Sequence, residues 1–304
     1  MITFATAEMV KDLKAIWKEC FHDEDSYISF YFENRFEPDN TLVWSEEGVP
    51  QAMLTLLPAA VLMADGVKPV RYVYAVATRE AMRGRGIAGA LLKYAAEYME
   101  KQGTGLILVP ASRTLFDYYA RQGYEATVGM RTAEWTLDEV KGMEEKTDVG
   151  LQAASLDEKK AEENGLGKVW TMRALHKEDA PLYKEIRDNA FLGQAGYIIW
   201  PEDAIAYAIS ENEFVGGFTH LIEIAGRKEL VMGYEMDGIL VLKETTIQDE
   251  ILYSILKDMM EARKCYKCKV RGLTDSTIFG EKIDFAMTKN LGHFHKGYFN
   301  LCLD

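Results

Sequence analysis

The run Arg83-Gly84-Arg85-Gly86-Ile87-Ala88-Gly89 carries the densest chemistry in the sequence. It stands between an apolar β-type stretch, Tyr72 to Ala77, and an amphipathic helical stretch, Ile87 to Gln102. Glycines let a backbone approach a ligand closely. A helix start presents unpaired N–H groups and the positive end of the helix dipole. Together these features predict an anion site, most often one for phosphate, and the two arginines strengthen it.

The context decides which phosphate ligand is expected. Gly84-Arg85-Gly86-Ile87-Ala88-Gly89 spells the dinucleotide fingerprint G-x-G-x-x-G. That fingerprint requires its first glycine directly after the strand and an acidic residue closing the next strand. Here Thr78 to Arg83 intervene, and the next apolar run, Gly105 to Val109, leads into Pro110 with no carboxylate. No G-x-x-x-x-G-K-[ST] occurs for ATP or GTP. Arg83-x-x-Gly86-x-Ala88 instead resembles the pyrophosphate loop R/Q-x-x-G-x-G/A of the GNAT N-acetyltransferases. A second element, Leu115 to Tyr124, resembles that family's helix ending in Y-x-x-x-G-F/Y, with Tyr119, Gly123 and Tyr124 at the defined positions. Strand, loop, helix, strand and second helix reproduce the family's core order.

The resemblance implies an α+β fold with a mixed sheet, acetyl-CoA as cosubstrate, and transfer of its acetyl group to an amine in a ternary complex. The strand backbone at Val76, Ala77 and Thr78 would pair with the pantetheine arm. One N–H there would polarise the thioester carbonyl. Arg83, Gly84, Arg85, Gly86, Ile87, Ala88 and Gly89 would hold the pyrophosphate, and Tyr119 would protonate the leaving thiolate. Tyr118 is its neighbour, and a turn of about 100° per residue keeps both from facing the cosubstrate equally. An alkylamine must lose a proton before attack. The candidates for that base are a water chain, Asp23, Glu24 or Asp25, and the terminal Asp304.

Composition bounds the function classes. The chain has 304 residues, enough for two domains. Its formal net charge of −13 argues against a nucleic-acid partner and suits a small cationic substrate. No apolar run is long enough for a membrane span, and Met1-Ile2-Thr3-Phe4 does not read as a signal peptide, so a cytoplasmic enzyme is expected, monomeric or homodimeric. Four cysteines make no disulfide scaffold. Cys265-x-x-Cys268 lacks the second pair of a zinc ribbon, and His293-x-His295 lacks acidic companions, so no metal is expected.

The first half reads as strand 2–4, helices around Met9–Phe21 and Tyr27–Phe36, and a hairpin turned at Glu46-Glu47-Gly48. Residues 138–166 form a charged connector. Residues 167–304 echo the first half. That echo comprises strand 168–173, helix 180–191, hairpin 220–235, strand 238–243, helix 247–262, strand 269–271, a helix from Ile278 to Leu291, and strand 298–303. The second copy lacks the chemistry: Glu244-Thr245-Thr246-Ile247-Gln248-Asp249 replaces the arginine-glycine loop, and Thr288 stands at the tyrosine position. The expected layout is a catalytic domain, 1–137, and a degenerate copy, 167–304. It resembles the Eis-type acetyltransferases without their sterol-carrier-like third domain. Without that domain, the resemblance alone does not assign an aminoglycoside acceptor or a C-terminal carboxylate base. Two other readings remain open: an acetyl-CoA-sensing regulatory protein, and an aminoacyl-transferase of tandem GNAT fold.

Overall fold

The computed structural model describes residues 1–146, 170–224, 226–272, 276 and 278–291. They fall into two units, one of residues 1–128, 195–201 and 284–291, the other of the described residues among 129–194 and 202–283. Among the described residues, no helix is long and apolar enough to cross a membrane.

The first unit opens with β1 (Ile2–Phe4), α1 (Val10–Phe21) and α2 (Asp25–Asn34). Leu13, Ile16 and Trp17, spaced three and four apart, form the buried stripe of α1. A meander comes next: β2 (Thr41–Glu46), β3 (Val49–Met63) and β4 (Gly66–Thr78), all antiparallel. The β2–β3 turn consists of Glu47 and Gly48 with φ of 51° and 82°, the left-handed pair that a two-residue hairpin turn demands. After β4 come α3 (Ile87–Glu100), β5 (Gly105–Leu108) parallel to β4, and α4 (Arg113–Arg121). The strand order is β1-β2-β3-β4-β5.

Two segments from the second half of the sequence complete this unit. Ile198–Ile199 (β8) pairs with Ala60 and Val61 of β3. Trp200 then sets its ring edge-on to Tyr72, centroids 5.8 Å apart. The second segment belongs to β13 (Glu281–Lys289), which runs antiparallel to β5 with Met287 opposite Leu108 and Lys289 opposite Leu106. This corrects the helix expected over Ile278–Leu291. Ile283, Met287 and Leu291 stand four apart and mimic a helical stripe, but the open edge of β5 recruits the segment as a strand. Thr288 therefore has no helical counterpart relation to Tyr119. Its hydroxyl meets that of Thr127 at 2.7 Å. Leu291 covers Gly105 so closely that a Cβ there would run into the Leu291 side chain.

The second unit repeats the order. It contains β7 (Trp170–Ala174), α6 (Ala180–Phe191), α7 (Glu202–Phe214), β9 (Phe218–Ile224), β10 (Arg227–Met236), β11 (Ile239–Thr245), α8 (Ile251–Arg263) and β12 (Lys267–Gly272). Its strands run β7-β9-β10-β11-β12, with β11 parallel to β12. Its sixth strand is β6 (Glu125–Thr136), antiparallel to β12. Of the connector, Leu137–Glu144 forms α5 behind a Thr136–Glu139 capping box. This helix is docked rather than solvated: Val140 is buried, and Lys141 and Glu144 pair with Glu261 and Lys257 of α8. Strand 298–303 and most of the connector lie outside the described residues. Cys265 and Cys268 are buried between α8 and β12.

A fragment ending at Leu137 lacks β13, β8 and Leu291, so the edge of β5 and the Gly105 surface are laid open. It is expected to aggregate or elute as oligomers in size-exclusion chromatography, where the full chain gives one defined species. A monodisperse fragment with native circular dichroism would contradict this dependence.

Candidate active site

The site begins with a defect in β4. Thr55 opposes Tyr74 and Met53 opposes Ala77, so β4 carries one more residue than β3 across this interval. The extra residue is absorbed at Ala75, whose φ is 50°. Such a β-bulge bends its strand and re-aims the residues beyond it. On the other edge of β4, pairing with β5 covers only Val70–Gly105, Arg71–Leu106 and Tyr72–Ile107. Beyond Tyr72 the two parallel strands part. Ala77 and Thr78 therefore have ladder partners on the β3 side and none on β5, and Val76 falls within the bulged interval.

The glycine loop follows this strand after one short turn. Glu80–Met82 makes one 3-10 turn, and Gly84 and Gly86 then take φ of 79° and 75°. A β-carbon at either position would cost about 1 kcal/mol or more in this left-handed region. Gly86 is the N-cap of α3, which has no side-chain cap and no acidic residue in its first turn. The first N–H groups of α3 thus keep their dipole end without a competing carboxylate. Gly89 faces α4: a β-carbon there would lie 3.1 Å from Gln122 Oε1.

The arginines are anchored. Arg83 Nε donates to the Thr78 carbonyl at 3.2 Å, and its Nη2 lies 3.8 Å from Cys20 Sγ. Arg85 pairs with Glu46 at 3.0 Å and sits over the Trp44 ring. Arg79 reaches Glu19 at 3.1 Å.

Tyr119 lies on α4 and is 8% exposed. Its ring packs edge-on to those of Tyr118 and Tyr124. One apolar cluster holds Val73 of β4, Met82 of the loop, Ile87 and Leu91 of α3, Leu108 of β5 and Tyr119, with Val76 and Tyr118 against it. That cluster brings together the bulged strand, the loop and the tyrosine helix. Burial first, and then Tyr118, pushes the Tyr119 phenol up to about 12. A low-dielectric setting disfavours the phenolate, so the group keeps its proton through neutral pH.

The carboxylates considered as bases are engaged or exposed. Asp23 accepts from Trp17 Nε1 at 2.7 Å. Asp25 pairs with Lys18 at 3.1 Å. Glu24 is exposed at the start of α2, and Asp304, like His293 and His295, lies outside the described residues. Among the described residues no cluster of three or more His, Cys, Asp or Glu is placed to hold a metal. A cavity of about 380 Å³ runs along the later turns of α3, lined by Lys93, Glu97, Glu100, Arg121, Gln122 and Lys289. None of residues 76–89 nor Tyr119 lines it, so it is separate from the constellation above.

Sequence reasoning located the loop and the tyrosine but missed the bulge, the Glu19 and Glu46 anchors and the completing strands. No residue type marks Ala75 as a bulge, since alanine with positive φ has no compositional signal. If Tyr119 titrates near 12, the phenolate absorbance of wild type minus Tyr119→Phe should rise only above about pH 11. A difference transition near pH 10 would contradict the burial argument.

A family of acetyltransferase (GNAT) domains matches residues 2–127. No curated protein matches the sequence significantly. Among solved structures, a GCN5-related N-acetyltransferase from Anabaena variabilis superposes with a TM-score of 0.72 at 15% identity, covering 96% of this chain and 73% of that one. One from Kribbella flavida gives 0.68 at 14%, covering 95% and 70%. Eis1 from Mycobacterium abscessus gives 0.65 at 11%, covering 95% and 73%. Likenesses at such low identity show the shared fold. The matched segment contains the opened strand, the glycine loop and Tyr119, so residues 2–127 are an acetyltransferase domain of the GNAT family and the protein is an acyltransferase.

Proposed function

We propose that the protein transfers the acetyl group of acetyl-CoA to a primary amine of a small, cationic acceptor in the cytoplasm. The observation that carries this reading is the parting of β4 from β5 beyond Tyr72, beside an uncapped helix start. An unpaired strand edge suits an extended amide-bearing arm, and the loop at Arg83–Gly89 suits its pyrophosphate. The pantetheine amides would pair along Val76–Thr78, setting the thioester within reach of a backbone N–H that stabilises the tetrahedral oxyanion.

The acceptor nitrogen, once deprotonated, attacks the thioester carbon. The C–N bond forms, the tetrahedral centre collapses and the C–S bond breaks. The thiolate takes the Tyr119 proton, and the amide nitrogen gives up its extra proton to water or a base. A buried phenol suits the acid role because it arrives protonated, and the thiolate that needs the proton forms in the same poorly hydrated surroundings. The Asp23 and Asp25 contacts favour a water chain over either carboxylate as the base.

The same reading assigns no cosubstrate to the second unit and treats it as a degenerate copy of a tandem GNAT chain. There β11 also carries an extra residue, between Leu242 and Glu244. The end of β11 is plugged: Glu244 is fully buried against Arg187 at 2.9 Å and Tyr183 at 2.7 Å. No glycine succeeds it before α8.

Equilibrium binding should give one acetyl-CoA site per chain, abolished in Gly86→Glu. Two sites, or binding unchanged in that variant, would sink the assignment. Tyr119→Phe should lower kcat about 100-fold or more with little change in acetyl-CoA affinity, and Tyr118→Phe should be far milder. Near-normal turnover in Tyr119→Phe, with chemistry rate-limiting, would leave the tyrosine a packing residue. Absence of thiol release with every amine tested, despite tight binding, would favour a sensor.

A further inference from the structure

A loop that presents N–H groups to a ligand has to be fixed at both ends. The far end of Arg83–Gly89 is fixed by α3, where Ile87 and Leu91 enter the core. The near end is the harder one. It leaves β4 where the strand has already lost β5, and its ladder ends with the Arg79 N–H donating to the Gln51 carbonyl at 3.0 Å.

The last turn of α1 meets this near end. One oxygen of Glu19 accepts the Glu80 N–H at 2.5 Å. The other accepts Arg79 Nη1 at 3.1 Å. Glu80 is the first residue of the 3-10 turn, so Glu19 satisfies an N–H that the turn itself leaves open. The adjacent Cys20 thiol donates to the Thr78 carbonyl at 3.3 Å, the same oxygen that receives Arg83 Nε. Two consecutive residues of α1 therefore grip Thr78, Arg79 and Glu80. The grip is held from behind, because Leu13, Ile16 and Trp17 lock α1 into the core. Consistent with a carboxylate that works ionised, the Glu80 N–H, outweighing partial burial and aided by Arg79, holds the Glu19 carboxyl below its usual range.

We infer that Glu19 is a positioning residue for the cosubstrate: it fixes the entry to the glycine loop, so acetyl-CoA affinity depends on a side chain that does not itself reach the pyrophosphate. The inference rests on the reading that Arg83–Gly89 holds that pyrophosphate. It predicts a specific split. Freed at its near end, the loop would lose preorganised binding, while the acid on α4 and the thioester geometry, once the ligand is seated, would be little changed.

The test is calorimetric titration of the full-length chain with acetyl-CoA, with steady-state kinetics on an accepted amine and thermal melts, for wild type, Glu19→Ala, Glu19→Gln and Arg79→Met. Glu19→Ala should raise Kd and KM for acetyl-CoA about tenfold, with kcat at saturation within about twofold of wild type. Glu19→Gln keeps an oxygen for the Glu80 N–H and should recover most of the affinity. Arg79→Met spares that contact and should show a smaller rise. Unchanged affinity in Glu19→Ala beside normal wild-type binding would overturn the inference and leave the loop reading intact. Wild-type chain that fails to bind acetyl-CoA would overturn the loop reading, and this inference with it. Equal losses in Glu19→Ala and Glu19→Gln that track their melting temperatures would show general destabilisation and also overturn it. Should Glu19→Ala not fold, Glu19→Gln and Arg79→Met decide: affinity unchanged in Arg79→Met, or no better retained in Glu19→Gln than in Arg79→Met, overturns the inference.

Discussion

Everything at the candidate site depends on β4 ceasing to pair with β5 after Tyr72. Parallel ladders are normally continuous, because each strand's polar edge needs a partner. Here the continuity is broken by one alanine in a left-handed conformation, at a strain of about 1–2 kcal/mol. The strain persists because β3 holds both sides of the bulge in register and the apolar cluster beneath fixes Val73 and Val76. Past the bulge, the Thr78 carbonyl is taken by Cys20 and Arg83. Among the described residues no strand pairs with the rest of that edge on the β5 side, an arrangement that suits a binding strand and would be wasteful in a purely structural one.

The second unit starts from the same constraint and resolves it differently. β11 also departs from β12 after four paired residues, Ile239 to Leu242. At the eighth residue of the first long helix, the first unit has Trp17 and the second has Arg187. An arginine there requires a carboxylate, and Glu244 supplies it from beyond the bulge, with Tyr183 adding a hydrogen bond. Removing either partner of a buried pair costs about 3–5 kcal/mol. The next polar groups along the chain are consumed locally: Thr245 Oγ1 accepts the Ile247 N–H, and Thr246 Oγ1 accepts the Leu230 N–H. These side chains occupy the end of β11, and Glu244 and Glu250 place carboxylates beside it.

How much of this was legible depends on whether the determinant is local. The glycine loop was readable because φ near 75° at an N-cap demands glycine at that spot. The Glu47-Gly48 turn and the α1 stripe were readable for the same reason: residue type and backbone requirement coincide within a few positions. Tyr119 was singled out by the likeness of Leu115 to Tyr124 to a family motif. The bulge was not, because Ala75 is held by its neighbours against its own preference. Nor was β13, because four-residue spacing of Ile283, Met287 and Leu291 satisfies a helix as well as it satisfies a segment captured by a bare strand edge. The Glu19–Glu80 contact joins positions far apart in sequence, and one carboxylate among many acidic residues carries no mark of its partner.

That last point extends to the plan of the chain. In each unit the first five strands come from one half of the sequence and the sixth from the other: β13 beside β5, and β6 beside β12. A reading by halves puts the boundary where the composition changes, at the charged stretch after Leu137, yet the strand that leaves the first half at Glu125 is already pairing with β12 by Arg131. The pairing of Leu106–Leu108 with Met287–Lys289 spans most of the chain, and long-range closure of that kind slows folding. It also ties the bulged strand to the second half. β5 is the strand from which β4 parts, and it can stay rigid while β4 bends away only if its other edge is held. β13 does that holding, with Leu291 packed on Gly105 and Lys289 bound to the Gln122 carbonyl at the end of the tyrosine helix. The second half of the sequence thus fixes the strand and the helix beside which β4 bends away.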